Sequence, residues 1–406
     1  MADHNHTHSP FKERTSLADA RDQLQAVVTP HGRTETVPLE RAVGRIVAHE
    51  ITASQNVPHY PRAAMDGYAV RAADTFGASD RSPVVLRRTD DAVDAREATL
   101  VNTGSELPTG ADAVVMIEHV SEVDQEIEVF QPASEGENVG PVGEDVETGQ
   151  HLYDRGARLR PSDLGLLKSV GMTDVTVAEQ PTVAVIPTGE ELVQADPDPG
   201  EIIETNGLTV SRLASQWGGD PTYSDVVTDD ESKLGAAIEA HLDHDIVVTT
   251  GGSSVGARDL LPDVVSELGD VFVHGVGLKP GHPVALGVVE GTPVLILPGY
   301  PVSCLVNAVQ FLRPAIKWAA GTSVEAFPSV TARLEEKIYS EPGLRSFARV
   351  QLDRRDGEYV GSAVRASGAG VLSSVALSDG WVVVPENSEG IDGGETVEVQ
   401  RWEWSP

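Results

Sequence analysis

Hydrophobic and polar positions follow different periods in different parts of the chain. Over residues 11–29, apolar side chains recur at the spacing of an amphipathic helix. From about 51 to 139 the apolar runs are short and alternating, and turn signals separate them, which predicts a mostly β region. Pro161 marks the start of a further predicted helix at about 161–170.

Between about 180 and 319, strand-like runs alternate with helical patterns. This alternation predicts a layered α/β domain with a largely parallel sheet, whose ligand site is expected at the carboxyl ends of the strands. After about 326, short strand-like runs without a strong helix predict a small β-barrel or sandwich. The α/β strands are predicted at TVAVIPTG (182–189), DIVVTTGG (245–252), VFVHGV (271–276), PVALGVV (283–289) and PVLILP (293–298), and the helices at about 207–217, 230–241, 258–268 and 301–319.

Length and composition indicate a multidomain globular protein. The chain has 406 residues, 40% of them hydrophobic and 23% charged, so two to four domains are expected. It contains no apolar run long enough for a membrane span, and its first residues lack the apolar region of a secretory signal. The single cysteine, Cys304, excludes a disulfide framework. A reducing, cytoplasmic location is therefore expected.

The charge is strongly negative. Acidic residues outnumber basic ones 63 to 30, which gives a formal net charge of -33. This charge opposes binding to nucleic acids and to anionic membranes, and adaptation to high salt is the preferred explanation for it. His4, His6 and His8 alternate near the start, where they form either a disordered, solvated end or a metal-binding tail.

Four polar loops follow predicted strands, and they converge on one crevice if those strands are parallel neighbours. The loop at 249–259 carries Gly251 and Gly252, which let the backbone approach a ligand, and Ser253 and Ser254, which add hydroxyl groups. An anion cradle and an ordinary strand-to-helix turn both account for this loop. The four loops are PTGEEL (187–192), TTGGSSVGARD (249–259), KPGHP (279–283) and PGYPVS (298–303).

Charged residues and a second helix start add candidate chemistry to these loops. Carboxylates beside a phosphate site suggest Mg²⁺, although in so acidic a chain surface solvation is the alternative. Lys279 either neutralises an oxyanion or is a solvated loop lysine. Pro301 suits the first position of a helix, where it either simply initiates the helix or precedes free N–H groups that can bind anions. The carboxylates are Glu190, Glu191, Asp229, Asp230 and Asp259.

Taken together, these stretches resemble the molybdopterin molybdenumtransferase family, which includes the gephyrin E-domain. The matching segments occur in the family's order and cover nearly the whole chain, although several would be weak signals alone. They are AMDGYAVR (64–71), NTGSELPTGADAVV (102–115), GED (143–145), PTGEEL (187–192), ETN (204–206), TTGGSSVG (249–256), KPG (279–281), LPGYPVS (297–303) and GVLSSVALSDGWVVVPE (370–386).

The resemblance implies a multidomain α/β plus β fold and a homodimer, in which each active site is shared between subunits. The α/β part is expected to be a three-layer α/β/α molybdopterin-binding domain. The implied divisions are a disordered tail at 1–10, an elongated N-terminal domain at 11–51 and 140–178, an inserted β-rich domain at 52–139, the α/β domain at 179–322 and a C-terminal β-barrel at 325–406.

The resemblance also implies the reaction and the site residues. Molybdate is inserted into adenylylated molybdopterin, the adenylyl phosphoanhydride is hydrolysed and AMP is released, with Mg²⁺ held by Glu191, Asp229 and Asp259. A molybdopterin adenylyltransferase is a candidate partner. The implied catalytic residues are Asp66, Thr103, Asp145, Glu191, Asp229 and Asp259, and the implied substrate-binding residues are Thr188, Gly189, Gly251, Gly252, Ser253, Ser254, Gly256, Lys279, His282, Pro298, Gly299, Pro301, Ser303 and Arg349.

Several positions depart from the family's pattern. His282 stands where a second lysine is common, Ala369 where serine is usual, and Tyr300 where asparagine is frequent. Basic residues often precede GED, where this chain has VGPV (139–142). Because two of these changes fall at the expected oxyanion site, tungstate is an alternative to molybdate.

Two other kinds of function compete with metal insertion. The first is a non-catalytic scaffold that binds pterin or a protein partner, and the full carboxylate set argues against it. The second is an adenylyltransferase built on the α/β domain. The long N-terminal region and the tail at 325–406 argue against that function, because such chemistry needs only the α/β unit.

Overall fold

A computed structural model of the chain describes residues 14–251, 260–364 and 368–404. Residues 34–177 form one compact unit, and the segments before and after them form the other. The predicted disordered tail at 1–10 lies outside the described residues, and the finer division into domains stays a prediction.

Most helices agree with the predicted positions to within a few residues, but the first α-helix is shorter than the predicted 11–29 and the last, with four residues, was not predicted. Short 3₁₀ turns lie at Leu39–Arg41, Ala72–Thr75, Ile117–His119 and Trp402–Trp404. The α-helices are α1 (Leu17–Val27), α2 (Pro161–Ser169), α3 (Asn206–Gln216), α4 (Glu231–Glu239), α5 (Leu260–Leu268), α6 (Pro301–Asn307), α7 (Arg313–Ala319) and α8 (Ser373–Ala376).

The long helix predicted at 301–319 has a π-helical middle, Ala308–Leu312, which joins α6 to α7. Pro314 has no N–H, so it cannot donate the helical hydrogen bond to the carbonyl of Gln310. Arg21 of α1 supplies the missing donor, because its Nε lies 2.9 Å from that carbonyl oxygen and its Nη2 lies 2.6 Å from Oε1 of Gln310. The irregular turn therefore binds α1 to this helix.

The unit formed by residues 34–177 is built mainly from strands. Six of them form a sheet in the order β7-β4-β6-β5-β9-β8, and the pairs β1–β12, β2–β11 and β3–β10 form small ladders. The strands are β1 (Thr34–Pro38), β2 (Ile51–Thr52), β3 (Arg62–Ala63), β4 (Gly67–Val70), β5 (Val84–Thr89), β6 (Glu97–Val101), β7 (Ala113–Met116), β8 (Val120–Val123), β9 (Glu126–Val129), β10 (Val139–Gly140), β11 (His151–Tyr153) and β12 (Asp174–Ala178).

The other unit contains the predicted α/β sheet. Its order is β16-β13-β17-β21-β20-β18, and β16, β13, β17 and β21 are parallel. The strands of this region are β13 (Thr182–Pro187), β14 (Leu192–Val193), β15 (Ile202–Ile203), β16 (Asp220–Tyr223), β17 (Ile246–Thr250), β18 (Asp270–His274), β19 (Leu278–Lys279), β20 (Ala285–Val289) and β21 (Thr292–Leu297).

One strand of the sheet runs against the others. Strand β20 is antiparallel to both β18 and β21. A two-residue turn joins it to β21, and both turn residues, Glu290 and Gly291, have positive φ. Such a turn suits the right-handed twist of a hairpin, so the chain reverses here instead of crossing over.

Helices cover both faces of this sheet, which confirms the predicted three layers. Val183, Val185 and Val248 belong to the core that includes side chains of α3, α6 and α7. Ala184 and Val247 belong to the opposite core, which includes side chains of α4 and α5. Alternate residues of each buried strand therefore serve the two cores.

The C-terminal strands close into a barrel, as predicted. Strands β24, β25, β22, β28 and β26 pair in that order, β26 pairs back with β24, and β19 adds to the outside of β24. No helix among the described residues has both the length and the apolar character that a membrane crossing requires. The strands are β22 (Ser329–Leu334), β23 (Ile338–Tyr339), β24 (Arg345–Arg355), β25 (Glu358–Ala363), β26 (Gly380–Val384), β27 (Gly390–Ile391) and β28 (Thr396–Gln400).

Candidate active site

Three of the four predicted loops meet at one edge of the α/β sheet. The backbone N–H of Thr188 lies 3.4 Å from the carbonyl oxygen of Thr250, and that of Gly251 lies 3.0 Å from the carbonyl oxygen of Leu297. A Cβ added to Gly299 would lie 3.5 Å from Cα of Gly251. The ends of β13, β17 and β21 therefore lie together at one edge, where parallel neighbours are expected to form a ligand crevice.

Gly251 is required by the close packing of this crevice. Its φ is +134°, and a Cβ there would lie 2.2 Å from the carbonyl oxygen of Thr188. Glycine alone fits both the backbone conformation and the space. The predicted ligand-binding residues Gly252, Ser253, Ser254 and Gly256 and the predicted catalytic residue Asp259 follow it in sequence and lie outside the described residues.

Buried hydroxyl groups lie at this edge, among them those of Thr188 and Thr250. Thr188 is 2% exposed and Thr250 is 1% exposed, and neither hydroxyl has a hydrogen-bond partner among the described residues. Oγ1 of Thr188 would lie 2.9 Å from a Cβ at Gly251, so it is next to the start of the glycine-rich loop. A buried hydroxyl without a partner costs about 1–3 kcal/mol. Both groups therefore suit a bound ligand that accepts or donates hydrogen bonds.

Carboxylates collect beside the crevice. The N–H of Gly189 donates to the carbonyl of Val227 at 3.1 Å, which joins the loop after β13 to the segment before α4. Partial burial, followed by the negative charges of Glu191 and Glu190, raises the pKa of the Asp229 carboxyl above its ordinary value. The charges of Glu191 and Glu190 therefore act on the Asp229 carboxyl.

The neighbouring carboxylate Asp230 has a structural role. It is the N-cap of α4, and its Oδ1 accepts the backbone N–H of Lys233 at 3.0 Å. A side chain that caps a helix in this way is already satisfied. Of the two adjacent aspartates, Asp229 is therefore the one that the structure associates with Glu191.

The carboxylates beside the crevice can be compared with the ligands that Mg²⁺ prefers. The described residues contain no group of three or more side chains that could hold a metal ion by themselves. However, Mg²⁺ often takes one or two carboxylates and fills its other positions with phosphate oxygens and water. Asp229 and Glu191 fit that pattern, because a cation would also relieve the repulsion between them.

The fourth predicted loop follows β19, which pairs with the barrel strand β24, and packs against the start of α6. Lys279 lies in β19, opposite Ser346 of β24, and its Nζ is 2.5 Å from the exposed carboxylate of Glu341. Burial, followed by the charge of Arg14, lowers the pKa of His282 from its ordinary value of 6.5, so this side chain is neutral at pH 7. Burial also lowers the pKa of Arg349 in β24.

A buried asparagine, not predicted from the sequence, connects this loop to α6. Nδ2 of Asn307 donates to the carbonyls of Gly281 and Ser303, both at 2.8 Å, and Asn307 is fully buried. Ser303 follows Pro301 at the start of α6, so both predicted residues lie on the helix that holds the loop. A polar residue within the apolar run VSCLVNAVQFL was the available signal.

Glu204 and Asn206, which belong to the ETN motif, hold the last strand end in place. Nδ2 of Asn206 donates to the carbonyl of Gly299 at 2.7 Å. Glu204 is only 5% exposed, and it accepts the N–H of Gly207 at 2.6 Å and the hydroxyl of Tyr223. The motif was recognised in the sequence, but its residues had no assigned role. The contacts assign them to the support of the loop that contains Pro298 and Gly299.

The unit formed by residues 34–177 brings two predicted catalytic residues together. The N–H and the hydroxyl of Thr103 both donate to Oδ1 of Asp66, at 2.6 and 2.8 Å. These hydrogen bonds lower the pKa of Asp66, the backbone one most strongly. Asp145 is also exposed, and its N–H donates to the carbonyl of Val57 at 2.9 Å. Whether these residues join those of the α/β unit in one active site stays a prediction.

The fold and the converging strand ends define a multidomain protein with a three-layer α/β domain and additional β-rich domains. Three family models match the chain: the MoeA N-terminal region (domain I and II) at 15–171, a probable molybdopterin binding domain at 184–318, and the MoeA C-terminal region (domain IV) at 331–402. The chain belongs to the MoeA family of molybdopterin molybdenumtransferases, which confirms the resemblance inferred from its motifs.

Relatives and solved structures agree over nearly the full length. A putative molybdopterin biosynthesis protein, MJ0666, from Methanocaldococcus jannaschii is 36% identical over 93% of this chain and 94% of its own. The molybdopterin molybdenumtransferase of Staphylococcus aureus is 30% identical over 95% of this chain and 96% of its own. A solved structure of the molybdopterin biosynthesis MoeA protein from Pyrococcus horikoshii has a TM-score of 0.79 and 32% identity, and covers 95% of this chain and 99% of its own.

Proposed function

We propose that this protein inserts molybdate into adenylylated molybdopterin, with hydrolysis of the adenylyl phosphoanhydride and release of AMP. The observation that carries the proposal is the strand-end crevice, where the buried hydroxyls of Thr188 and Thr250 have no described partner and lie beside Gly251. Phosphate and pterin groups offer the acceptors and donors that such hydroxyls need. Family membership supports the same reaction.

The residues around the crevice have separate proposed roles in the reaction. Thr188 and Thr250 bind and orient the substrate, and the absent side chain of Gly251 lets the backbone approach it. Asp229 and Glu191 would hold Mg²⁺, which when bound neutralises charge at the phosphoanhydride. Hydrolysis breaks one P–O bond of the anhydride and adds water across it, so a positioned acceptor for the proton of that water is needed. A carboxylate of this edge that does not hold the metal would accept that proton.

The oxyanion is assigned to the basic side chains. Lys279 and Arg349 are proposed to bind molybdate, and Lys279 does so by exchanging Glu341 for the incoming anion. His282 is neutral and offers a hydrogen bond there rather than a charge. Because His282 and Tyr300 depart from the family's pattern at the expected oxyanion site, tungstate is retained as an alternative substrate.

Further proposed assignments concern the subunits, the pocket wall and the location of the protein. Asp66, Thr103 and Asp145 are assigned to an active site completed across a homodimer, and Pro298, Pro301 and Ser303 to the wall of the substrate pocket. The protein is placed in the cytoplasm, where a molybdopterin adenylyltransferase supplies its substrate. The family resemblance supports these points, and the contact between Asp66 and Thr103 supports only the pairing of these two residues.

A direct assay tests the reaction. Purified protein is incubated with adenylylated molybdopterin, Mg²⁺ and either molybdate or tungstate, and AMP release and cofactor formation are measured. Asp229→Asn should lower the rate at least tenfold, whereas Asp230→Asn should not, because asparagine also caps a helix. The proposal fails if wild-type protein releases no AMP with either oxyanion. The assignment of Asp229 fails if the two variants are equally active.

A further inference from the structure

Tyr300 stands out at the crevice because its ring is exposed on a tightly held loop. The side chain follows Gly299 at the end of β21, and Tyr300 is 64% exposed, whereas Pro298 and Val302 on either side are buried. The hydroxyl of Tyr300 has no hydrogen-bond partner among the described residues. Because Tyr300 follows the end of β21, where the ligand is expected, its exposed ring is a candidate contact for the ligand.

Hydrogen bonds fix the backbone on both sides of this ring. The carbonyl of Gly299 accepts from Asn206 at 2.7 Å, and the carbonyl of Tyr300 accepts the N–H of Cys304 at 2.8 Å. The N–H of Val302 donates to the carbonyl of Ala369 at 2.9 Å. Because the loop is already ordered, binding of a ligand to the ring causes little further loss of conformational entropy.

One side of the ring is supported by backbone. A Cβ added to Gly370 would lie 3.5 Å from Cδ1 and 3.8 Å from Cε1 of Tyr300. The glycine therefore lets the ring lie beside the segment at 368–370, and the exposed remainder of the ring faces solvent. A ring held in this way presents a flat surface for a second ring.

We propose that Tyr300 is a specificity-determining residue that stacks on a planar purine or pteridine ring of the substrate. This inference rests on the proposed function, because that substrate carries both an adenine and a pterin. The two rings share the chemistry that Tyr300 would recognise, namely a flat heteroaromatic face. The neighbouring hydroxyls of Thr188 and Thr250 would bind the polar part of the same molecule.

The test measures binding of three probes to the full chain: AMP, pterin-6-carboxylate, and ribose 5-phosphate, which has no ring to stack. Tyr300→Leu removes the aromatic face and keeps a similar bulk, whereas Tyr300→Phe keeps the face. Stacking on an aromatic side chain strengthens the binding of a base. Tyr300→Leu should therefore bind AMP or the pterin about tenfold more weakly. Tyr300→Phe should bind within about twofold of wild type, and ribose 5-phosphate should be unaffected by either change.

Tyr339→Leu is the matched control, since this tyrosine is 79% exposed and lies in β23, away from the crevice. The probe whose affinity falls identifies the stacked ring. The proposal is overturned if Tyr300→Leu leaves both ring affinities unchanged, or if wild type binds ribose 5-phosphate as tightly as AMP and the pterin. A change of oligomeric state in Tyr300→Leu, measured by light scattering, would instead make the ring a subunit contact and also overturn the proposal.

Different results would refute the stacking by Tyr300 and the insertion of metal. If wild type inserts metal but Tyr300→Leu binds all probes normally, only the stacking is wrong. If Tyr300→Leu weakens ring binding but wild type releases no AMP, the stacking stands and metal insertion is wrong.

Discussion

Gly251→Ala should destabilise the α/β unit more than the same change at two other glycines. At Gly251 the new methyl group meets two obstacles, a φ of +134° and the carbonyl oxygen of Thr188 at 2.2 Å. At Gly291, in the turn between β20 and β21, φ is +91° but nothing lies within 4 Å. At Gly299 the nearest atom is Cα of Gly251 at 3.5 Å, which is ordinary contact, and φ is not positive. The three variants therefore separate backbone strain from steric overlap.

The expected magnitudes follow from these differences. A positive φ costs an alanine about 1–2 kcal/mol, which is the whole effect at Gly291. At Gly251 the backbone strain of about 1–3 kcal/mol adds to an overlap that costs about 1–3 kcal/mol to relieve, for a total of about 4 kcal/mol. For a unit of this size, about 3 °C is lost per kcal/mol. The unfolding midpoint should fall by about 12 °C for Gly251→Ala and by about 4 °C for Gly291→Ala.

Differential scanning calorimetry can measure all three variants, with the transition of the α/β unit followed separately if the units unfold apart. Gly299→Ala should stay within about 2 °C of wild type, because alanine at a compatible site also restricts the unfolded chain. If Gly251→Ala unfolds no lower than Gly291→Ala, the close approach of Thr188 to Gly251 is incorrect. If Gly299→Ala is the least stable variant, the assumed order of the strand ends is wrong.

Two further predictions concern carboxylates and pH. The raised pKa of Asp229 means that its ionised form is disfavoured in the folded protein. Asp229→Asn should therefore raise the unfolding temperature at pH 7 without Mg²⁺, and it should remove the stabilisation that Mg²⁺ gives wild type. No difference from wild type in either condition would refute this. For Asp66 the effect of pH on stability is opposite, because its pKa is lowered: the folded protein gains stability above the ordinary pKa of 3.8 and loses it as the pH falls through the folded pKa. Thr103→Val should raise the pKa of Asp66, as measured by ¹³C NMR titration of the carboxyl. An unchanged titration would contradict the hydrogen bond from the Thr103 hydroxyl.

The convergence of the strand ends was predictable because it needs only the strand and helix pattern. Buried strands that alternate with helices form parallel neighbours, and their carboxyl ends then share one edge. Thr188, Gly251 and Gly299 are distant in sequence, yet this rule alone brings them together. The reversal at β20 also had a local signal, the two-residue Glu290–Gly291 turn, although it was not used in the prediction.

The supporting contacts were not predictable, because they depend on side-chain directions and on pairings across long sequence separations. Asn206 reaches Gly299 from the first turn of α3, and Glu204 accepts a backbone N–H of the same turn. The π-helical turn arises because Pro314 leaves the carbonyl of Gln310 without its helical partner and Arg21 reaches it from α1. No periodicity in a single segment carries that information.

The strong negative charge explains why the crevice relies on uncharged donors. In a chain with more than twice as many acidic as basic residues, an exposed lysine readily finds a carboxylate, and Lys279 pairs with Glu341. Both side chains are more than half exposed, so the pair is worth only about 0–1 kcal/mol. An incoming oxyanion can therefore replace Glu341 at little cost, and salt weakens the existing pair further. The hydroxyls of Thr188 and Thr250, by contrast, keep their binding capacity at any ionic strength, because burial separates them from the surface charge.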